Sequence, residues 1–292
     1  MLTFLARQAF SRPHRLASMI AGARQASLLR AHPHPTVRAL GVACGAAQER
    51  RLGDEDARVV AGIEALRARA STSSERLRID DYGAGAPDST FSEEQMAAGR
   101  VIERTVGEAC RASKKPAWAG LLWHLVREFK PERCVELGCC LGISACYQGH
   151  ALRSNGGGGR LWTLEGAPML AAVARRHLAE QGLDGRVEVV VGRFQDTLPG
   201  LLARHAPIDY AFIDGHHDEQ ATLRYFEQLL PHLAPRALLV FDDIDWSDGM
   251  RRAWARLVDD RRIQLSIDCG EVGVCAVDAT IKDKLRAAIP LA

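Results

Sequence analysis

From residue 133 onward the chain alternates apolar runs of strand length with segments of helical periodicity. Apolar runs at 133–137, 161–165, 187–191, 208–213 and 237–241 predict five strands. Segments at 143–152, 168–181, 196–204 and 219–233 predict the helices between them. The helix at 168 opens on Pro168 and is followed by Gly182, as helix ends prefer. Near-continuous apolar strands separated by helices imply a parallel sheet covered on both faces. A helix at 248–260 follows, then strands at 263–268 and 272–277. The "CGEVG" between them is too short for a crossover, so these two pair antiparallel. A short helix is expected to end the chain.

Upstream the pattern is helical. It is rich in Ala and Arg to about residue 75, broken by "AHPHPT" at 31–36, with an amphipathic helix over 55–70. "STSS" at 71–74 reads as a loop and leads into the polar, glycine-rich "LRIDDYGAGAPDSTFS". Helical periodicity returns at 93–112 and is clearest at 117–130, where Trp118, Leu121, Leu122, Leu125 and Phe129 share one face. The chain thus divides into an N-terminal helical cap, 1–115, suited to acceptor binding or dimerisation, and a core domain, 116–292.

With 292 residues, 47% apolar and 25% charged, the composition is that of an ordinary globular protein. A net charge of +2 gives no global field for nucleic acid or membrane. No apolar run approaches the roughly 20 residues that span a bilayer. The eight cysteines show no C-x-x-C spacing, which excludes a zinc site of that type. They read as small core or turn residues in a reducing compartment, the cytoplasm. The first 48 residues hold six arginines and no acid, so an organelle-targeting segment is the alternative to a basic helical arm.

In an open parallel sheet, ligands bind beyond the carboxyl ends of the strands. Here those ends carry Glu136 to Gly142, Glu165 to Ala167, Gly192 to Asp196, Asp214 to Asp218, and Asp242 to Trp246. Gly138 and Gly142 make a G-x-x-x-G turn, not the G-x-G-x-x-G of a pyrophosphate cradle. Glu136 before that turn disfavours a diphosphate, and Glu165 suits the two hydroxyls of a ribose. A ligand with a ribose and a cationic end, but no phosphate, fits.

"VELGCCLGIS", "LWTLEGAP", "VEVVVGRFQDTLP", "DYAFIDGHHDE" and "LLVFDDIDWSDGM" resemble, in that order, the class I S-adenosylmethionine-dependent methyltransferases, over roughly 115 to 278. The "IDG-x-H" form resembles a bacterial O-methyltransferase group with catechol-type and macrocin-type relatives. The resemblance implies a Rossmann-like, seven-stranded, mostly parallel sheet of order 3-2-1-4-5-7-6. It implies that Glu136, Gly138 and Gly142 contact the methionine part of the cofactor, that Glu165 holds the ribose, that Arg193 and Phe194 lie near the adenine, and that Asp214 lies near the methionine end. "DYGAG" resembles a stretch upstream of the core in a bacterial subgroup; it is either a loop over the pocket or a surface turn.

Asp214, Asp242 and Asp243 should converge, and three carboxylates repel unless a cation sits between them. The catechol-type relatives imply Mg²⁺ or another divalent cation there. The broader bacterial group does not, leaving Asp242 as a strand-end cap and Asp243 paired with an arginine. Asp243 stands where catechol-type enzymes carry Asn, and His217 where they carry a lysine. His217 is the candidate base, with His216 its rival. Trp246 is either a pocket wall or core, and Asp196 a helix cap. The leading reading is O-methylation of a small-molecule acceptor. The alternatives are a metal-independent N-, RNA or protein methyltransferase, and a non-catalytic cofactor-binding scaffold. No basic-aromatic interleaving favours RNA, and a homodimer is expected only by analogy.

Overall fold

The computed structural model describes residues 12–86 and 89–291. Eleven α-helices, one short 3₁₀ helix and twelve strands are found among the described residues. The central strands are β5 (Arg133–Leu137), β6 (Arg160–Glu165), β7 (Val187–Val191), β8 (Ile208–Ile213) and β9 (Leu233–Phe241), all parallel. Beyond β9 lie β11 (Gly273–Asp278), antiparallel to both neighbours, then β10 (Leu265–Asp268), then β12 (Leu285–Ala288), parallel to β10. The sheet therefore runs β7-β6-β5-β8-β9-β11-β10-β12. Its first seven positions are the expected 3-2-1-4-5-7-6 order; the eighth strand is additional.

That eighth strand corrects the expected C-terminal helix. "LRAA" is helix-prone by composition, but Pro290 forbids continuation and Ile289 is fully buried. Pairing at the sheet edge outweighs local propensity.

Helices cover both faces. Val135, Leu137 and Leu164 pack with Phe194, Leu198 and Phe226 from α9 (Phe194–His205) and α10 (Glu219–Leu229), and with Leu257 from α11 (Asp248–Asp259). On the other face α6 (Pro116–Phe129), α7 (Ile143–Ser154) and α8 (Pro168–Glu180) supply Leu121, Tyr147 and Val173. The stripe expected on α6 is borne out: Leu121, Leu122, Leu125 and Phe129 are buried, with Trp118 packed at its margin.

The N-terminal part is less helical than its periodicity predicts. α1 (Arg12–Arg30), α2 (Pro35–Gln48) and α3 (Asp54–Ser71) follow the pattern. The stretch 93–112 does not form one helix; it divides into α4 (Glu93–Ala98), β4 (Arg100–Thr105) and α5 (Val106–Cys110). Gly99, at φ +67°, ends α4, and the β-branched Val101, Ile102 and Thr105 pair with β1 (Arg76–Asp81) in a two-stranded ribbon. A small hairpin of β2 (Gly85–Ala86) and β3 (Ser89–Thr90) projects from it. Thr105 and Glu108 form a capping box that opens α5.

The N-terminal helices meet the β12 edge of the sheet. Ala288 N–H donates to Gln25 Oε1 (2.7 Å), Gln48 Nε2 donates to the Pro290 carbonyl (3.0 Å), and Thr36 Oγ1 donates to Asp278 Oδ2 (2.7 Å). The basic-arm and targeting readings of the first 48 residues fall partly on residues 1–11, outside the described residues; the rest of that stretch is α1, α2 and their connection. Among the described residues no helix is long and apolar enough to cross a membrane. All eight cysteines are free thiols, and all but the half-buried Cys140 are buried.

Candidate active site

The carboxyl ends of β6, β5, β8 and β9 lie side by side and form the floor of a cleft. Gly138 follows β5 at φ +105°, and a Cβ there would stand 1.8 Å from the carbonyl oxygen of Asp214. Only glycine lets these strand ends approach so closely. Gly142, at φ +79°, is the N-cap of α7. At the end of β6, Glu165 accepts from the Cys140 N–H through Oε2 (2.7 Å) and from the Ala167 N–H through Oε1 (2.9 Å). Burial pushes its pKa up to about 7, opposed by those backbone donors.

Gly138, Glu165, Arg193, Phe194, Asp214 and His217 line one cavity of about 220 Å³. With His216, which also lines it, seven residues singled out on the sequence are thus brought together. Phe194 lies against Gly215, where a Cβ would stand 2.4 Å from the ring. Arg193 reaches Asp196 (2.6 Å) and the Ala97 carbonyl (3.2 Å), which gives Asp196 an ion-pair partner in the first turn of α9.

Glu136 and Gly142 do not line this cavity. Glu136 is fully buried and accepts from Gln148 Nε2 (2.6 Å) and Thr163 Oγ1 (2.5 Å). Strand alternation explains it: Val135 and Leu137 face α9 and α10, so Glu136 faces α7. Burial lifts its pKa to about 7. It braces the floor from inside.

The "DYGAG" stretch turns over the cleft. Tyr82 lines the cavity, clamped between Gly99 and Gly166, where added Cβ atoms would stand 2.6 and 2.9 Å from its ring. Asp81 pairs with Arg100, and its Oδ1 accepts from the Gly83 N–H (3.0 Å). Of the two readings of this stretch, the geometry is that of a loop over the pocket. Pro87 lies outside the described residues. A second cavity, of about 310 Å³, adjoins the first and is walled by Ile79, Ile102, Arg104, Leu170, His217 and Trp246.

The three aspartates converge, but around a lysine. Lys114, just before α6, is buried and its Nζ donates to Asp242 Oδ2. The charges of Asp214, Asp242 and Asp243 together hold its pKa above the ordinary lysine value despite burial. Burial and the charge of Asp214 push Asp242 up to about 8. His217 fills the space between the other two: Nε2 is 3.7 Å from Asp214 Oδ1 and Nδ1 is 3.4 Å from Asp243 Oδ2. Asp243 therefore faces an imidazole where an arginine was the expected partner. As arranged, the carboxylates do not fit a divalent cation, and among the described residues no group of three His, Cys, Asp or Glu is disposed to hold one. His216 also lines the first cavity, but its Nδ1 meets the Tyr225 hydroxyl (2.7 Å), and burial lowers its pKa to about 4. The Trp246 ring lies 5.8 Å from that of His217.

Sequence reasoning missed Lys114, although a signal existed. Two lysines precede the N-terminus of α6, where the helix dipole disfavours cations. Each is answered by an acid: Lys114 by Asp242, Lys115 by Glu271 at 2.7 Å.

A methyltransferase-domain family model matches residues 135–244. The catechol O-methyltransferase of Mycobacterium tuberculosis is 31% identical over 164 residues, covering 56% of this chain and 71% of that protein. The chain belongs to the class I S-adenosylmethionine-dependent O-methyltransferases. The catechol O-methyltransferase of Niastella koreensis is 34% identical over 133 residues, or 45% of this chain and 58% of that enzyme. The match to the mouse enzyme spans 35% of its length. Among solved structures, a Bacillus cereus O-methyltransferase in complex with SAH is 26% identical with a TM-score of 0.50, covering 57% of this chain and 83% of that one. TomG of Streptomyces achromogenes, in complex with SAM, is 27% identical with a TM-score of 0.50, covering 59% and 87%. Lys114, Tyr82 and Trp246 all lie outside the matched family region.

Proposed function

We propose that this O-methyltransferase moves the methyl group of S-adenosylmethionine to a hydroxyl of a small-molecule acceptor held in the second cavity. The observation that carries this reading is the place of His217, which lines both cavities where they meet. The cofactor supplies an electrophilic methyl on its sulfonium. Glu165 accepts the ribose hydroxyls, Gly138 admits the backbone close to the ligand, and Phe194 covers the base. His217 takes the proton from the acceptor hydroxyl, its ring held in place between Asp214 and Asp243. Ile79, Ile102, Leu170 and Trp246 hold the acceptor in line and exclude water.

The relatives are named catechol O-methyltransferases, so vicinal diphenols lead the acceptor panel. Incubation with methyl-labelled cofactor should yield a labelled methyl ether, read by mass spectrometry. Label on nitrogen would move the reading to amines. Tight cofactor binding with no product from any acceptor would leave the non-catalytic scaffold.

Cofactor affinity should rise with pH. Glu165 has a folded pKa of about 7 against an ordinary 4.5, so in the empty protein its protonation favours folding and that stabilisation is lost as pH rises through 7. Only the ionised form accepts from both ribose hydroxyls while keeping its two backbone donors. Calorimetry should show affinity climbing up to about tenfold per pH unit below 7 and levelling above it. Glu165→Gln should bind weakly and without this slope; a flat wild-type profile would refute the assignment.

A further inference from the structure

Resting on the function just proposed, we infer that the ammonium of Lys114 is this site's built-in cation and that methyl transfer here requires no divalent metal. Three carboxylates at adjoining strand ends need positive charge among them. Lys114 brings it from the segment between α5 and α6. That segment is anchored on both sides, by Ser113 N–H to the Cys110 carbonyl (3.0 Å) and Ala119 N–H to the Lys115 carbonyl (2.9 Å). The side chain is buried and ends on Asp242, itself 2% exposed.

The remaining coordination space is also taken. Asp214 and Asp243 each face a nitrogen of His217. Of the three carboxylates' oxygens, Asp242 Oδ1 is fully buried without a hydrogen-bond partner, beside the Lys114 ammonium. A hard divalent cation is held by carboxylate oxygens turned toward it; here those of Asp214, Asp242 and Asp243 face an ammonium and an imidazole instead. The lysine supplies the charge without requiring any ion to be captured. It also ties the segment leading into α6 to the end of β9, so the same contact that neutralises the cluster fixes the cleft wall.

The test is Mn²⁺ binding followed by electron paramagnetic resonance on wild type, Asp242→Asn, Lys114→Met and the Lys114→Met/Asp242→Asn double variant. Wild type should bind Mn²⁺ no more tightly than about 1 mM, and its turnover should survive exhaustive chelation. Lys114→Met vacates the cation's place, so it should gain Mn²⁺ affinity by at least about tenfold and lose it again in the double variant. Micromolar Mn²⁺ binding by wild type that disappears in Asp242→Asn would overturn the inference. So would chelator-sensitive turnover restored by Mg²⁺, or a folded Lys114→Met that ignores Mn²⁺. Should Lys114→Met not fold, the comparison of wild type with Asp242→Asn still decides. Cofactor calorimetry on the same preparations separates this result from a failure of the methyltransferase reading, because Mn²⁺ binding is scored without turnover.

Discussion

His217→Ala is expected to lower kcat by about 10²–10⁴-fold, the usual worth of a positioned general base. Cofactor affinity should stay within about twofold, because the lost interaction belongs to the transition state. The imidazole stands between Asp214 and Asp243 at the junction of the two cavities. Its neighbour cannot substitute. His216 is bound to the Tyr225 hydroxyl, and with a pKa of about 4 it is a poor proton acceptor at neutral pH. Backbone strain is the competing explanation for any loss, since His217 sits at φ +47°. Asparagine tolerates that conformation better than alanine, so His217→Asn separates the two. If strain were the whole cause, the asparagine variant would recover kcat. If the ring is the base, both variants fail alike in steady-state assays. Wild-type kcat in His217→Asn would remove this residue from the mechanism.

Gly138→Ala should abolish measurable cofactor binding and cost about 2–4 kcal/mol of stability, combining a positive-φ penalty with a backbone clash. The added carbon would meet the Asp214 carbonyl oxygen at 1.8 Å. Neither strand end can retreat freely. Gly138 N–H is held by the Leu164 carbonyl (3.1 Å), and Asp214 N–H by that of Leu137 (2.8 Å). Relief would have to unzip β5 from its neighbours on both sides. Gly142→Ala provides the contrast: its Cβ would meet only Ala174, at 3.2 Å, so the cost there is mainly conformational. Chemical denaturation and calorimetry on the pair check this, and a Gly138→Ala protein with wild-type midpoint and affinity would refute the close-approach argument.

The central sheet was legible because β5, β6 and β8, and the second half of β9, are buried on both faces and so read as nearly continuous apolar runs. The acids and glycines at the strand ends were legible for a related reason: a purely structural sheet edge has no use for them. Glu136 shows where that logic slips. It lies one residue inside the strand, so pleating directs its side chain into the layer beneath α7, and the cleft is out of its reach. "LRAA" as a strand and 93–112 as helix–strand–helix were not legible, since both depend on pairing partners far away in sequence. Lys114 and Tyr82 were hidden for the same reason. Each enters the site from a segment whose own pattern says only loop.

The meeting of the N-terminal helices with the sheet edge has a kinetic corollary. Gln25 and the Ala288 amide it receives are 263 positions apart, and Thr36 and Asp278 are 242 apart. During synthesis α1 and α2 emerge long before the strands they close against. Until then Cys44 of α2, fully buried in the finished protein, lacks its neighbour Cys269, whose Sγ lies 4.0 Å away. Such late, long-range closure is slow by nature and leaves the unfinished chain prone to association. Removing β12 should therefore harm yield on expression more than it harms the cleft, whose nearest strand, β9, lies three places away across the sheet.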